Sequence, residues 1–167
     1  KPMTSEHLLH TIPPIYDGNS KILILGSFPS VKSREVSFYY GHPQNRFWRV
    51  LAAVLGCAVP SSNEEKTVLL QSHNIALWDV IKSCDIVGSS DSSIKNVVPN
   101  DIGAILSSCG IRQIYSNGKT SEKLFNKYIK DTVGRDTVAL PSTSPANASY
   151  NLERLTDSWS VIKNNIR

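Results

Sequence analysis

The segment FYYGHPQNRFW, at residues 38–48, brings together side chains that can bind a flat ligand. The rings of Tyr39 and Tyr40 can stack on a planar group, an interaction worth about 1–3 kcal/mol per base. The Asn45 amide can hold a base edge or a water by hydrogen bonds, or it can cap the following helix. Arg46 can pair with a carboxylate or a phosphate. An ordinary core segment would be aliphatic and periodic, so this segment indicates a ligand-binding loop.

Two shorter loops combine glycine, proline and small polar residues. In GSFPS, at residues 26–30, Gly26 permits a sharp turn and Pro29 stiffens the backbone. This loop lacks the GxxxxGK(S/T) pattern, so it is not a phosphate loop of that type. In PSTSPAN, at residues 141–147, two prolines rigidify hydroxyls and one amide, which are groups that can clamp a phosphate ester. Taken alone, each loop also fits a plain turn after a strand.

The elements that position these loops alternate between strand and helix patterns. Apolar runs predict four strands, at ILIL (22–25), NIALWDV (74–80), IRQIYSNG (111–118) and DTVALPS (136–142). Apolar spacing and capping residues predict helices in NRFWRVLAAVLG up to Gly56, from Asn100 or Asp101 to about Cys109, in KTSEKLFNKYI and in SYNLERLTDSWSVIKNNI. Residues 83–101 are turn-rich and polar and are predicted to be irregular. This order predicts a parallel α/β sheet covered on both faces, with ligands bound at the carboxyl ends of its strands.

Length and composition set limits on the class of protein. The 167 residues are expected to form one domain over 1–167, and Lys1 and Pro2, ahead of Met3, are interpreted as added residues. The three cysteines form no CxxC pair and His42 has no second ligand at metal-binding spacing, so we expect no metal and no cofactor. Reduced thiols, no signal-peptide pattern and no membrane-length apolar run predict a cytoplasmic protein. A net charge of +4 fits a polyanion partner without requiring one.

Together, the three loops resemble the motifs of the uracil-DNA glycosylase superfamily. GSFPS is similar to a GxNPG loop, HPQNRFW to an HPxNRFW segment, and STSPAN to an HPSPxN loop. The resemblance is closest to the hypoxanthine-DNA (deoxyinosine) glycosylase branch, which carries the GSFPS, YYGxPQNRFW and STSPAN forms, and it extends from about Lys21 to the terminal helix. It implies a three-layer α/β/α sandwich around a four-stranded parallel sheet. It also implies a monomer that needs no cofactor and acts on double-stranded DNA containing a deaminated base.

Two departures from the superfamily pattern change the expected chemistry. Most members place Asn or Asp in the first loop to activate water, where this chain has Phe28. Many place His in the second loop to stabilise the leaving base, where this chain has Ser142. The hypoxanthine branch carries its essential amide in the PQN segment, which maps to Asn45. The resemblance therefore implies that Asn45 is catalytic, with helix capping as its alternative role.

The same resemblance assigns the other site residues. Tyr40 corresponds to the stacking aromatic residue, and Asp79 to the residue that reads the base edge. Asp79 could instead cap a helix or loop, and Asn117 could simply form a turn. The residues expected in the base pocket are Gly26, Ser27, Phe28, Pro29, Tyr40, Asp79 and Asn117. Those expected to bind DNA phosphates are Ser30, Ser142, Thr143, Ser144, Pro145 and Asn147.

The resulting hypothesis is a monofunctional DNA glycosylase of base excision repair that releases hypoxanthine from deoxyinosine. One alternative on the same fold is a uracil or G:T/U mismatch glycosylase. Another is a catalytically silent DNA-binding module, because both usual catalytic groups are replaced. A dinucleotide-dependent enzyme is disfavoured, because no GxGxxG follows the first strand.

Overall fold

Seven β-strands and seven α-helices occur in residues 4–88 and 90–167, the part of the chain that this computed structural model describes. Lys1 and Pro2, interpreted above as added residues, lie outside that part. The strands are β1 (Glu6–Leu9), β2 (Ile22–Gly26), β3 (Ile75–Asp79), β4 (Ile81–Ile86), β5 (Lys95–Pro99), β6 (Gln113–Asn117) and β7 (Thr137–Leu140). The helices are α1 (Val31–Val36), α2 (Phe47–Leu55), α3 (Asn63–Ser72), α4 (Ile102–Ser108), α5 (Lys119–Tyr128), α6 (Lys130–Val133) and α7 (Leu152–Trp159). Within the described residues, no helix has the length and apolar character needed to cross a bilayer.

The central sheet is parallel and contains four strands in the order β3-β2-β6-β7. All four predicted strands are confirmed. Strand β2 is buried along its whole length, which explains why its sequence ILILG is continuously apolar instead of alternating. The register pairs Gly26 with Asp79 and Asn117 with Leu140, so the strands end close together at one edge of the sheet.

Helices cover both faces of this sheet and give the predicted three-layer α/β/α sandwich. On one face, Ile22 and Ile24 belong to a hydrophobic cluster with residues of α2 and α7, including Trp159. On the other face, Leu23 and Leu25 belong to a cluster with residues of α4 and α5. Successive side chains of β2 therefore enter opposite layers, as the pleat of a strand requires.

The boundaries of two helices follow their predicted signals. Helix α2 stops at Gly56, which adopts φ +70°, a conformation that glycine tolerates without strain. Helix α4 is capped by Asp101, whose carboxylate accepts a hydrogen bond from the Ala104 N–H at 3.2 Å. Asn100, the other candidate cap, instead donates to the carbonyls of Asp79 and Ile81 at 2.9 and 3.1 Å. Asn100 thus holds the backbone at the end of β3.

The prediction that residues 83–101 are irregular is wrong. Strand β4 ends within this segment and pairs with β5 and β1, giving a second, antiparallel sheet in the order β1-β4-β5. Register shifts on either side of Ser83 interrupt the alternation that would mark a strand in the sequence. Strand β1 also escaped prediction, because most of its residues are exposed and pairing with the distant β4 is what orders it.

We expect the substitution Ile24→Ala to destabilise the protein by about 2–5 kcal/mol, because it opens a cavity beneath α2 and α7. Ile24 is fully buried in a central strand. The free energy of unfolding from urea titrations measures this effect. Val68→Ala, at a position 63% exposed on α3, should change it by less than about 0.5 kcal/mol. Equal losses for the two variants would contradict the assigned core.

Candidate active site

A cleft of about 570 Å³ lies at the carboxyl ends of the parallel strands. Its volume is within the range of small-ligand sites. All of the residues assigned to the site from the sequence line this cleft except Asn147. They come from the turn after β2, the connection between α1 and α2, the ends of β3 and β6, and the loop after β7. The sheet therefore brings together the three loops that the sequence separates.

The Asn45 side chain is fixed by two hydrogen bonds to its amide oxygen. Oδ1 accepts from the Phe47 N–H at 2.9 Å and from the Thr143 hydroxyl at 2.8 Å. A backbone N–H can only donate, so the atom that faces it must be the oxygen. Nδ2 donates to none of the residues that the structure describes. The two interpretations of Asn45 are thus compatible, because one end of the amide supports the start of α2 while the other remains available in the cleft.

Thr143 connects the loop after β7 to the two other sides of the cleft. Besides its bond to Asn45, its hydroxyl accepts from Asn117 Nδ2 at 3.0 Å, and its N–H donates to Asn117 Oδ1 at 3.1 Å. Its carbonyl accepts from the Arg46 N–H at 3.0 Å. Thr143 is fully buried. Its hydroxyl is therefore engaged within the protein instead of free for a phosphate as expected, and the Asn117 amide is likewise engaged by Thr143.

The Arg46 guanidinium bonds to backbone carbonyls, not to a carboxylate or a phosphate group. It donates to the carbonyl of Ser144 at 2.8 Å, to that of Asn147 at 3.1 Å, and to that of Tyr150. Arginine suits this task because its five N–H donors can serve several carbonyls at once. Arg46 thus stabilises the conformation of the loop after β7.

The other residues assigned to phosphates differ in their availability. The Ser142 hydroxyl accepts from the Ser144 N–H, and the Ser144 hydroxyl accepts from the Ala146 N–H, so each retains an O–H that donates to no described residue. The Ser30 hydroxyl caps the start of α1, where it accepts a hydrogen bond from the Ser33 N–H and donates one to the Ser33 hydroxyl. The Asn147 amide donates to the Ser142 carbonyl at 3.0 Å. Among the residues assigned to phosphates, Ser142 and Ser144 therefore retain hydroxyls that are open to a ligand.

The turn that carries Tyr40 has a strained backbone held from both sides. Tyr40 has φ +52°, which is unusual for a bulky residue and costs on the order of 1–3 kcal/mol. On one side the Trp48 indole donates to the Tyr39 carbonyl at 3.1 Å, and on the other the Gly41 N–H donates to the Ser33 hydroxyl at 2.9 Å. Tyr39 itself is a core residue, 2% exposed, whose hydroxyl bonds to carbonyls of the N-terminal segment.

The Tyr40 ring stacks on Phe47, with ring centroids 4.1 Å apart and an interplanar angle of 19°. Its hydroxyl is buried and has no partner in normal hydrogen-bond geometry among the described residues. Burial raises the pKa of Tyr40 far above its usual value, the negative charge of Asp79 raises it further, and the Asn117 amide acts in the opposite direction. Tyr40 is therefore a neutral side chain that presents ring surface to the cleft.

Gly26 leaves the space that Asp79 and Tyr40 occupy. A Cβ atom at this position would lie 2.4 Å from Asp79 Oδ1 and 3.0 Å from the Tyr40 hydroxyl oxygen. Asp79 is 4% exposed, and its Oδ2 accepts a hydrogen bond from His10 Nε2 at 2.8 Å. Its Oδ1 is bonded to none of the described residues, so one carboxylate oxygen remains as an acceptor beside Gly26.

Phe28 forms part of the cleft wall. Its ring lies edge-on to His10, with centroids 6.0 Å apart, and the Arg34 guanidinium is 5.8 Å from its centroid. A phenyl ring cannot activate water, so Phe28 contributes an apolar surface to the cleft and no general base.

Several residues near the cleft were not predicted from the sequence. His10 follows β1 in the N-terminal segment, Ile86 ends β4, and Ser90 and Asp91 come from the connection between β4 and β5. Burial raises the pKa of Asp91, while a hydrogen bond with Thr120 opposes the rise. The sequence contains no local signal for these residues. Across the described ranges 4–88 and 90–167, no group of three His, Cys, Asp or Glu residues is arranged to hold a metal ion.

We expect Thr143→Val to cost about 1–3 kcal/mol of unfolding free energy, because it removes the hydrogen bonds of the hydroxyl to Asn45 and to the partly buried Asn117 while it preserves side-chain volume. Chemical denaturation followed by tryptophan fluorescence measures the loss. Thr132→Val, on the exposed helix α6, is the matched control and should have little effect. A Thr143→Val protein as stable as the control would show that this junction contributes nothing to stability.

Known proteins of one superfamily resemble this chain in sequence. A profile of the "Uracil DNA glycosylase superfamily" matches residues 13–164. The Hypoxanthine DNA glycosylase of Methanosarcina barkeri is 36% identical over 137 residues, covering 81% of this chain and 85% of that protein. The Hypoxanthine DNA glycosylase of Methanosarcina acetivorans is 34% identical over 152 residues, covering 90% and 94%.

A solved structure extends the similarity to the fold. The solution NMR structure of a candidate uracil DNA glycosylase from Methanosarcina acetivorans superposes with a TM-score of 0.78 at 33% identity, covering 91% of this chain and 94% of that chain. The residues that match the family profile include all four parallel strands and all three cleft loops. This chain therefore belongs to the uracil DNA glycosylase superfamily.

Proposed function

We propose that this protein is a monofunctional DNA glycosylase of base excision repair, and that it hydrolyses the N-glycosidic bond of hypoxanthine flipped out of double-stranded DNA. Superfamily membership and two relatives named Hypoxanthine DNA glycosylase support this reaction. The observation that carries the proposal is the fixed Asn45 amide, with Nδ2 available in a cleft that also contains a free Asp79 oxygen. We further propose that residues 1–167 act as one domain, as a cytoplasmic monomer.

The cleft provides surfaces for an extruded base. Flipping a nucleotide costs a few kcal/mol, and least for a mismatched or damaged base. Stacking of the extruded base on an aromatic ring in the pocket contributes about 1–3 kcal/mol, which offsets this cost. The Tyr40 ring, supported from behind by Phe47, is the stacking surface, and the half-buried Phe28 ring is a second apolar wall.

Base selection depends on the unpaired Asp79 oxygen. Hypoxanthine and uracil both carry a ring N–H beside a carbonyl, whereas adenine and cytosine carry a bare ring nitrogen with a lone pair. Asp79 Oδ1 can accept a hydrogen bond from the ring N–H of hypoxanthine or uracil. It repels the lone pair on the bare ring nitrogen of adenine or cytosine. Adenine and cytosine are strongly rejected at such a site, because either base would leave a buried acceptor unpaired.

Asn45 acts as a donor to the attacking water. The sugar gains oxocarbenium character as the base leaves, so even a neutral water is a competent nucleophile late in bond cleavage. Asn45 Nδ2 can hold that water through its oxygen, but the amide cannot remove a proton. Positioning is therefore the contribution we assign to Asn45.

The turn after β2 can stabilise the departing base. The backbone N–H groups of Ser27 and Phe28 donate to no carbonyl of the described residues, and both residues line the cleft. Donors placed where negative charge develops are worth about 10²–10³ in rate elsewhere. The open hydroxyls of Ser142 and Ser144 are suited to the flanking phosphates.

We expect Asn45→Ala to reduce single-turnover excision of hypoxanthine by at least about tenfold, because the water loses its donor. Binding to the same duplex should persist, since the phosphate contacts come from other loops. The matched control is Gln44→Ala, which removes an exposed amide from the preceding residue, outside the cleft lining. Excision by Asn45→Ala at the wild-type rate would remove Asn45 from the catalytic role.

The choice of base is tested with duplexes that carry hypoxanthine, uracil, xanthine or a mismatched thymine at the same position. We expect hypoxanthine to be released fastest, as free base with an abasic product. Faster release of uracil or thymine would replace the proposed substrate while preserving the reaction. DNA binding that weakens with salt, but without abasic product on any duplex, would favour the silent DNA-binding module instead.

A further inference from the structure

His10 and Asp79 form a buried pair behind the cleft, although they are 69 residues apart in sequence. We propose that His10 is a positioning residue for base selection, which orients the Asp79 carboxylate so that it offers a single acceptor to the base. This inference rests on the proposed function, because it assumes that Asp79 meets the base edge. It adds a residue from the N-terminal segment, outside the three loops that define the site.

The pair is held rigidly. His10 Nε2 lies 2.8 Å from Asp79 Oδ2, and the two side chains are 1% and 5% exposed. The His10 N–H donates to the Lys82 carbonyl at 2.7 Å, which fixes the backbone next to β1. The imidazole ring is in contact with Phe28 on one side and Tyr39 on another, with centroids 6.0 and 6.1 Å away. The donor therefore has little freedom to follow a moving carboxylate.

The geometry makes the two oxygens of Asp79 unequal. Oδ2 is occupied by His10, whereas Oδ1 lies beside Gly26 with no partner among the described residues. Without His10 the carboxylate could rotate about its terminal torsion, since no other side chain described in the structure holds it. The hydrogen bond from His10 thus fixes the direction in which Asp79 Oδ1 points and its position beside Gly26 in the cleft.

A role in packing alone makes a different prediction from a role in positioning. His10→Phe preserves the aromatic ring against Phe28 and Tyr39 but removes the donor to Asp79. His10→Gln preserves an N–H donor but removes the ring. Positioning predicts that His10→Gln is the more active variant, and packing predicts that His10→Phe is.

The test measures single-turnover excision of hypoxanthine by these two variants and the wild-type protein. We expect His10→Phe to lose roughly tenfold to a hundredfold in rate, the scale of a lost charge-assisted hydrogen bond. His10→Gln should be clearly less impaired. Wild-type activity in His10→Phe, or a greater loss in His10→Gln than in His10→Phe, would overturn the inference. His10→Met is a second donor-free variant for the case in which His10→Phe does not fold.

A second comparison uses Asp79→Asn, in which His10 still donates to the amide oxygen and so turns the NH₂ toward the cleft. That donor opposes the N–H of hypoxanthine, and excision should fall by at least about tenfold. Adding His10→Phe frees the amide to rotate, so the double variant should excise at least as fast as Asp79→Asn alone. If His10→Phe lowers the rate by the same factor in both backgrounds, His10 acts independently of Asp79 and the proposal fails.

The wild-type control separates this inference from the proposed function. If wild-type protein releases uracil instead of hypoxanthine, the same variants are assayed with uracil, which has the same N–H and carbonyl arrangement. If it releases no base, the proposed function fails, and the inference fails with it. If it releases base and the His10 variants behave like wild type, only the inference fails.

Discussion

The hydroxyl of Thr143 is the interaction on which the geometry of the site depends. It donates to Asn45 and accepts from Asn117, so one buried oxygen joins two separate loops to the end of β6. Loops at the end of a sheet are ordinarily its most mobile part. Here the connection is reinforced by Arg46, whose backbone N–H bonds to Thr143 and whose guanidinium holds the carbonyls of the same loop. The direction of the Asn45 amide follows from this connection.

A fixed amide donor suits a site that lacks stronger groups. The motif resemblance matches Phe28 and Ser142 to the positions of a water-activating residue and a histidine in the superfamily. Among the residues of the cleft, the Asn45 amide, the Tyr40 ring and the Asp79 carboxylate are each held in place by neighbouring side chains. Such groups accelerate a reaction mainly by position, because they need no reorganisation as charge develops. The strained Tyr40 turn and the space above Gly26 are the structural means of that preorganisation.

The sequence predicted those parts of the fold whose signal is local. The parallel strands are buried on both faces and therefore appear as apolar runs, and their carboxyl ends locate the cleft. Strands β1, β4 and β5 were missed because pairing over long distances orders them, and register shifts disturb their pattern. Arg46 was interpreted as a partner for a negative charge because its backbone-carbonyl partners cannot be identified from residue types. The pairing of His10 with Asp79 was missed for a similar reason, since 69 residues separate them.

The central claim is that Asn45 presents a donor, and Asp79 an acceptor, to an everted base and its attacking water. The most direct measurement is a crystal structure with duplex DNA that contains a 2′-fluorinated deoxyinosine, whose glycosidic bond resists cleavage. We predict that the hypoxanthine stacks on Tyr40, that its ring N–H bonds to Asp79 Oδ1, and that Asn45 Nδ2 contacts a water beside the anomeric carbon. A hypoxanthine still stacked in the helix, or bound with Asn45 Nδ2 turned away from the sugar, would contradict the account.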